Sequence, residues 1–376
     1  MSIIEQEAKS ILRKYKRIDS WFISRYGMNL YRGCLHNCVY CDGRAEKYQV
    51  TGDFGKDIVV KINAVEVLDR ELDPQRRGKP LVPGFIILGG GVGDSYQPVE
   101  GTYHLAHRTL ELLLKRHWPV HILTKSTDIK NDFDLIKRVN EDSRALVSFS
   151  FSSTDDSVSK IFEPGVPSPT DRLHTISELS DKGIDCGMFL MPVIPFITDK
   201  WDMLEQTVQD AKKAGVKYIV FGGMTLKDGR QKKHFYRLLR EMYPDLLIEY
   251  EHIYRGNRWG QAIRQYYQSL NMPLVELSKR YQMPLRIPGA LFSDVISEND
   301  RVVVILDQIH YLLQIRGKRS PYGYAAHQIA QITTPLSQIV YSIRDIPGVG
   351  KQIEQAINEI IISGSSSLYE KLMYHF

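Results

Sequence analysis

Between about residues 85 and 242 the chain alternates short apolar runs with longer stretches of helical spacing, and this rhythm limits the fold more than any other feature. The runs at 85–90 (FIILGG), 120–124 (VHILT), 145–151 (ALVSFSF), 186–193 (CGMFLMPV) and 217–223 (KYIVFGG) are short and rich in β-branched and aromatic residues, so they read as strands. Residues 98–116, 131–140, 169–182, 201–214 and 230–242 read as the helices between and after them. With an extended run at 21–31 this makes six β/α units. Such alternation gives a parallel sheet with helices outside it. Right-handed crossovers curl six units into an open, partial (β/α)6 barrel of the TIM type. Functional groups then belong on the loops at the C-terminal ends of the strands.

The flanks read differently. Residues 2–20 carry Ile3, Ile4, Ala8, Ile11, Leu12 and Tyr15 near helical spacing, which predicts an amphipathic N-terminal helix. Beyond about 250 the pattern is helical, over 258–282 and 299–316, followed by a basic, turn-rich connector at 316–323. The expected division is an N-terminal helix (1–21), a barrel (22–250), a helical extension (251–329) and a small all-α tail (330–376). Among 376 residues, 43% are hydrophobic and 25% charged, which excludes a disordered tail protein, a collagen-like chain and a coiled coil. No apolar run reaches the length of a membrane span, and the N-terminus interleaves acids and bases rather than carrying a secretory signal, so a cytoplasmic protein is expected. The net charge of +5, from 49 bases against 44 acids, permits a polyanionic partner without demanding one.

Three of the four cysteines fall within eight residues, as Cys34-x3-Cys38-x2-Cys41, in the loop after the first strand. Three thiolates on one tight loop can ligate a compact metal centre, zinc or an iron–sulfur cluster. Structural zinc usually takes two separated ligand pairs, and no second pair is present. His36 is a candidate fourth ligand, poorly placed between Cys34 and Cys38. Three ligands would leave a four-iron cluster with one open iron, able to bind a substrate or cofactor. A zinc knuckle or three buried free thiols remain the alternatives. The glycines Gly89–Gly91 and Gly93 lack dinucleotide-loop spacing and run into Asp94, which argues against a nucleotide fingerprint.

The cysteine string, with Tyr40 before the last cysteine, resembles the radical S-adenosylmethionine (SAM) superfamily, whose fold is a partial (β/α)6 barrel. The finer resemblance is to the spore photoproduct lyase family and its DNA repair photolyase-like relatives. It rests on Asn29-Leu-Tyr31-Arg-Gly-Cys34-x-His36-x-Cys38-x-Tyr40-Cys41, Asp94-Ser-Tyr96-Gln97-Pro98-Val-Glu100, Thr124-Lys125-Ser126, Ser148-Phe-Ser150, Lys160-Ile-Phe-Glu163-Pro164-Gly165 with Arg172-Leu173, and Pro192-Val-Ile-Pro195-x3-Asp199. These span roughly residues 25–225. The resemblance implies that Cys34, Cys38 and Cys41 are the catalytic centre and hold a 4Fe–4S cluster. The open iron would chelate SAM, and one-electron cleavage would give a 5′-deoxyadenosyl radical that abstracts hydrogen from substrate. It also implies cofactor contacts from Tyr40, Gly89, Gly90, Asp94, Lys125, Ser126, Ser150, Lys160 and Arg172, with Lys160 pairing to the cofactor carboxylate. A solvated Lys160 and a purely scaffolding Glu163–Arg172 pair are the competing readings. A reductant such as flavodoxin or ferredoxin would supply the electron.

One departure stands out. The lyases use a further cysteine as hydrogen-atom donor close after the third strand, where this chain has Lys125; the fourth cysteine, Cys186, instead begins the fifth strand. The tail adds a second resemblance. Leu336 to Ile343, then Ile346-Pro347-Gly348-Val349-Gly350-Lys351, then 352–360 resemble the helix-hairpin-helix of DNA polymerase β-type repair proteins. Gly348 and Gly350 free the backbone to present N–H groups to a phosphate, and Lys351 adds charge. Together these lead us to expect a lyase-like radical SAM enzyme acting on nucleic acid, DNA foremost, in lesion repair or base modification. The alternatives are the same chemistry on RNA, a peptide or a small molecule with the tail as scaffold, and a DNA-binding protein with a structural metal centre.

Overall fold

The structure is a computed structural model that describes residues 2–50, 52–76, 78, 81–256 and 258–374. Its centre is a curled sheet of seven strands in the order β10-β9-β8-β7-β6-β3-β2. The strands β3 (Ser24–Met28), β6 (Phe85–Leu88), β7 (Val120–Thr124), β8 (Ala145–Phe151), β9 (Cys186–Val193) and β10 (Ile219–Gly223) run parallel. They are the six expected strands, each beside its sequence neighbour. Their residues are buried nearly throughout, as befits strands covered on both faces.

The N-terminal helix expected over 2–20 does not form. β1 (Ile3–Gln6) and β2 (Leu12–Asp19) take its place. β2 pairs antiparallel with β3 as an edge strand, and its Arg13, Lys14 and Lys16 face solvent. β1 joins a second sheet, β1-β5-β4, with β4 (Tyr31–Arg32) and β5 (Ile58–Lys61). Helical spacing from Ile3 to Tyr15 gave way to pairing along the open edges of β5 and β3.

The helices are α1 (Ala64–Leu72), α2 (Glu100–Tyr103), α3 (Leu105–Lys115), α4 (Phe133–Asp142), α5 (Asp156–Phe162), α6 (Pro169–Asp181), α7 (Trp201–Lys213), α8 (Arg230–Met242) and α9 (Leu247–Ile253), then α10 (Arg264–Tyr281), α11 (Glu298–Ile315), α12 (Tyr322–Ile329), α13 (Lys351–Ser363) and α14 (Ser367–Tyr374). Local chemistry sets several boundaries. Ser168 caps α6 by accepting from the Asp171 N–H (3.1 Å), Pro169 opens it, and Gly183 follows its end at φ +78°. His104, at φ +50°, splits the helix expected over 98–116 into α2 and α3.

α11 organises the C-terminal half. Eleven of its residues are buried, and α10, α12, α13, α14 and β2 all pack on it. Its Tyr311 meets Trp21 of the β2–β3 turn (ring centroids 5.9 Å apart) and Phe221 of β10 (6.2 Å), so it bridges the first and last parallel strands. In the tail, the arm before the hairpin is two 3-10 pieces, Leu336–Gln338 and Val340–Asp345, not the expected α-helix. The second arm is α13, which starts straight after Gly350.

Candidate active site

The cysteine loop follows β4 and lies at the C-terminal ends of the barrel strands. Cys34 and Cys38 are buried and Cys41 is half-buried. Much of what fixes the loop is backbone capture. Gln97, fully buried, accepts from the Leu35 N–H (2.9 Å) and donates to the Gly33 and Asp94 carbonyls. The Val39 N–H reaches Phe162 O (2.8 Å) and the Gly165 N–H reaches His36 O (3.1 Å). Arg44 donates to the carbonyls of Cys38 and Asn37, both at 3.0 Å. Gln231 donates to Tyr40 O (2.9 Å), tying the loop to α8.

His36 is not a metal ligand here. Its Nδ1 faces Gly165 O (2.9 Å), which fixes a proton there, and its Nε2 faces the Asp94 carboxylate (3.1 Å). Both ring nitrogens are therefore committed to protein, which removes the zinc knuckle completed by His36. Asp94 also accepts from Thr124 Oγ1 (2.8 Å) and from the N–H groups of Lys125 (2.7 Å) and Tyr96 (2.9 Å). Burial works against its ionisation, but His36 and these donors hold its carboxyl below the usual range.

The thiols open onto a cavity of about 110 Å³ shared with Gly89, Gly91, Gly93, Asp94, Lys125 and Ser150. Gly89 has φ +86°, and a Cβ there would lie 2.2 Å from Leu123 O, so only glycine fits. Behind the cavity Glu163, wholly buried, accepts from Lys125 Nζ (2.9 Å), Arg172 Nη2 (2.7 Å), Ser159 Oγ (3.0 Å) and the Tyr40 hydroxyl. Burial alone would raise its pKa; Arg172 and Lys125 overcome that and hold it well below the carboxylate range. Lys125 Nζ also reaches Ser150 O (3.2 Å), so two of its three donors are used within the protein.

Of the expected cofactor contacts, Gly89, Asp94, Lys125 and Ser150 line the cavity. Tyr40, Ser126 and Arg172 are buried beside it and bond to protein: Tyr40 and Arg172 to Glu163, Ser126 Oγ to the Asp128 N–H. Gly90 packs on Ile87 instead of the cavity. Lys160 is exposed on α5 and is not among the cavity-lining residues, while Lys125 presents the nearby ammonium. Tyr96 and Glu100 are also structural: Tyr96 donates to Asp132 (2.8 Å), and Glu100 binds the Tyr31 hydroxyl and the Ala106 N–H (2.7 Å). Cys186 is registered with Val147 at the N-terminal end of the sheet, three residues before the Phe189–Ser150 pair. That puts it about 10 Å below the cavity level, too deep to donate a hydrogen atom there. Arg44 and Gln231 escaped sequence reading because their roles are long-range backbone contacts without a local pattern.

Comparison with known proteins gives the family. The model of the Radical SAM superfamily matches residues 28–205. An uncharacterized protein of Mycobacterium bovis is 32% identical over 235 residues, covering 61% of this chain and 67% of that protein. Residues 28–205 are a radical SAM domain. A second uncharacterized relative, from Methanocaldococcus jannaschii, is 29% identical over 59% of this chain and 78% of its own. Among solved structures, spore photoproduct lyase complexed with dinucleoside spore photoproduct aligns with TM-score 0.54 at 14% identity, over 74% of this chain and 79% of that one. A mutant of that lyase with bound AdoMet and the same photoproduct aligns at TM-score 0.53 and 15% identity, over 74% and 78%. These likenesses show a shared fold.

The cofactors of a radical SAM enzyme are a 4Fe–4S cluster and SAM, and the residues present fit them. Three thiols on one loop that line a common cavity are the donor set for a cluster with one open iron, while no group of three or more His, Cys, Asp or Glu side chains among the described residues could hold a single metal ion. Burial raises all three thiols, Cys38 to about 12; a bound iron centre deprotonates coordinating thiols outright. No helix among the described residues is long and apolar enough to cross a membrane.

Proposed function

We propose that Cys34, Cys38 and Cys41 ligate the cluster, that SAM occupies the cavity beside them, and that the substrate is nucleic acid, DNA foremost, in a lyase-like repair or base-modification reaction. The observation that carries the reading is the set of three thiols around a cavity that also receives Lys125, Ser150 and the Gly89–Gly93 turn. Cluster and SAM together supply one-electron cleavage and hydrogen abstraction. The chain's part is positioning. Glu163 and Ser150 O hold Lys125 with one donor left for the SAM carboxylate, while Arg172 keeps Glu163 ionised. Gly89 lets the backbone approach the methionyl amino group.

The nucleic-acid reading rests on the tail. Pro347, Gly348, Gly350 and Lys351 are exposed while Ile346 and Val349 are buried as anchors. Gly348 has φ +86°. α13 begins with no side-chain cap, and the space around Gly350 is open, so its first N–H groups face solvent as an anion site requires. Such a contact holds a phosphate backbone without reading sequence. A base inside a duplex must leave the stack to reach the barrel mouth. With three crowded free thiols, the protein belongs in a reducing compartment, and we place it in the cytoplasm.

The test is anaerobic. The protein is reconstituted with iron and sulfide, reduced with dithionite, and assayed for 5′-deoxyadenosine with and without ultraviolet-irradiated DNA. We expect SAM cleavage that Cys38→Ala abolishes and irradiated DNA stimulates. Cleavage retained in Cys38→Ala overturns the ligand assignment. Cleavage indifferent to any DNA moves the substrate to RNA, a peptide or a metabolite.

A further inference from the structure

α10 presents a stripe of side chains to an open groove against the end of α11. Arg264, Tyr267, Gln268, Asn271, Met272 and Val275 are spaced i, i+3, i+4, i+7, i+8 and i+11, so they share one helix face about 17 Å long. The groove encloses about 1010 Å³, and its far wall is the loop after α11, with Lys318 and Arg319. Arg264, Lys318 and Arg319 are exposed and make no ion pair among the described residues, and the only acid on the groove wall is Glu276. Arg316 fixes the loop by donating to Leu312 O (2.8 Å) and Leu372 O (3.0 Å).

What borders this groove matters. At one end the Tyr267 ring fills the space beside Gly223, where a Cβ would lie 2.5 Å from the ring. Gly223 is the last residue of β10, at the same end of the barrel as the cysteine loop. On the far wall Arg319 lies five residues before Tyr324, hence at most about 18 Å from it. Tyr324 packs against Gly348 of the tail hairpin, 2.4 Å from its would-be Cβ. The groove thus has the barrel mouth beside its Tyr267, and its basic wall lies within about 18 Å of the residue that packs on the hairpin. Cations flank a floor of one aromatic ring, one exposed methionine and two amides, the mixture that tracks a phosphate backbone while accepting bases of any sequence.

We propose that this groove binds a single-stranded DNA segment and leads it from the tail hairpin to the barrel mouth. The proposal rests on the nucleic-acid reading above and names the surface that reading requires. The charge decides for a polyanion over a peptide: three uncompensated cations face one acid.

The test measures fluorescence anisotropy of a labelled single-stranded DNA 20-mer across a salt series, with intact wild-type protein and with the triple variant Arg264→Glu, Lys318→Glu, Arg319→Glu. Matching melting temperatures establish that the variant is folded. We expect the variant to bind roughly 10-fold or more weaker, with the slope of log affinity against log salt smaller by about 2, from three lost phosphate contacts. Wild-type binding that the variant fully retains overturns the groove while leaving the nucleic-acid reading standing. Wild-type protein that binds neither DNA nor RNA overturns both. Should the triple variant not fold, Lys318→Gln, Arg319→Gln is compared instead, and an unaltered affinity there counts against the groove.

Discussion

Glu163 carries a negative charge with no solvent exposure, between Arg172 and Lys125. Removing one partner from such a cluster leaves the others buried and uncompensated, which costs about 3–5 kcal/mol. Glu163→Gln is therefore expected to lose about that much in urea unfolding at pH 7, whereas a loss under 1 kcal/mol would show the cluster to be incidental. The pH dependence has a definite sign. The folded Glu163 pKa is depressed, so its contribution is complete above the unfolded carboxyl value near 4.3 and fades as acid approaches the folded value. Wild-type protein should lose this stability below about pH 4, and Glu163→Gln should show a shallower acid limb. Lys125 separates positioning from cluster binding. Lys125→Met removes a charge-assisted donor worth about 1.5–3 kcal/mol, so the KM for SAM should rise roughly 10- to 100-fold while iron content stays at the wild-type level. Loss of iron instead would place Lys125 in the scaffold of the cysteine loop.

At the scale of elements, the cysteine loop is seated on the turn between α5 and α6. Gly165 has ordinary φ, yet a Cβ there would lie 2.6 Å from Leu35 O and 2.8 Å from His36 O. Gly165→Ala must push the loop outward, and we expect reconstituted iron and sulfide per chain to fall at least about twofold with the barrel still folded by circular dichroism. Full iron loading would mean the loop tolerates the displacement. Below the cavity a polar chain crosses the barrel: His121 Nε2 to Ser148 Oγ (2.8 Å) and on to the Tyr218 hydroxyl (2.8 Å), with His121 Nδ1 held by Phe22 O (2.7 Å). Burial lowers His121 to about 4, so it stays neutral when folded. The unfolded chain takes up its proton first, and stability should fall between about pH 6.5 and 4 by on the order of 3 kcal/mol. His121→Asn should flatten that part of the curve; an unchanged slope would assign the acid sensitivity elsewhere.

For the whole molecule, the tail is part of the core. Buried side chains of α12, α13 and α14, including Ile329, Ile353, Ile357, Ile360 and Met373, belong to the same apolar cluster as α11. Each large apolar side chain uncovered costs roughly 1.5–3 kcal/mol. A chain ending at residue 329 is expected to be insoluble or to melt well below the intact protein. A soluble truncated form with the intact melting temperature would show the tail to be an appended domain, as the boundary at 330 suggested.

The alternation of strand and helix, the six barrel strands and the cysteine loop were legible because each is local: strand-length apolar runs, helix-length intervals and a spacing of three thiols. Asp94, Lys125 and Ser150, which line the cavity beside the thiols, lie in strings that the sequence singles out. What tertiary structure decided depends on distant partners. β1 and β2 formed because β5 and β3 offered open edges, against the local helical spacing. Lys125, not Lys160, reached the cavity because Glu163 and Ser150 O hold it there. His36 was withdrawn from metal binding by Gly165 and Asp94, residues far from it in the chain. Hydrogen bonds and backbone contacts between separate segments leave no periodic trace in either segment. Sequence therefore determined which chemistry this chain can host, and packing determined which side chains face it.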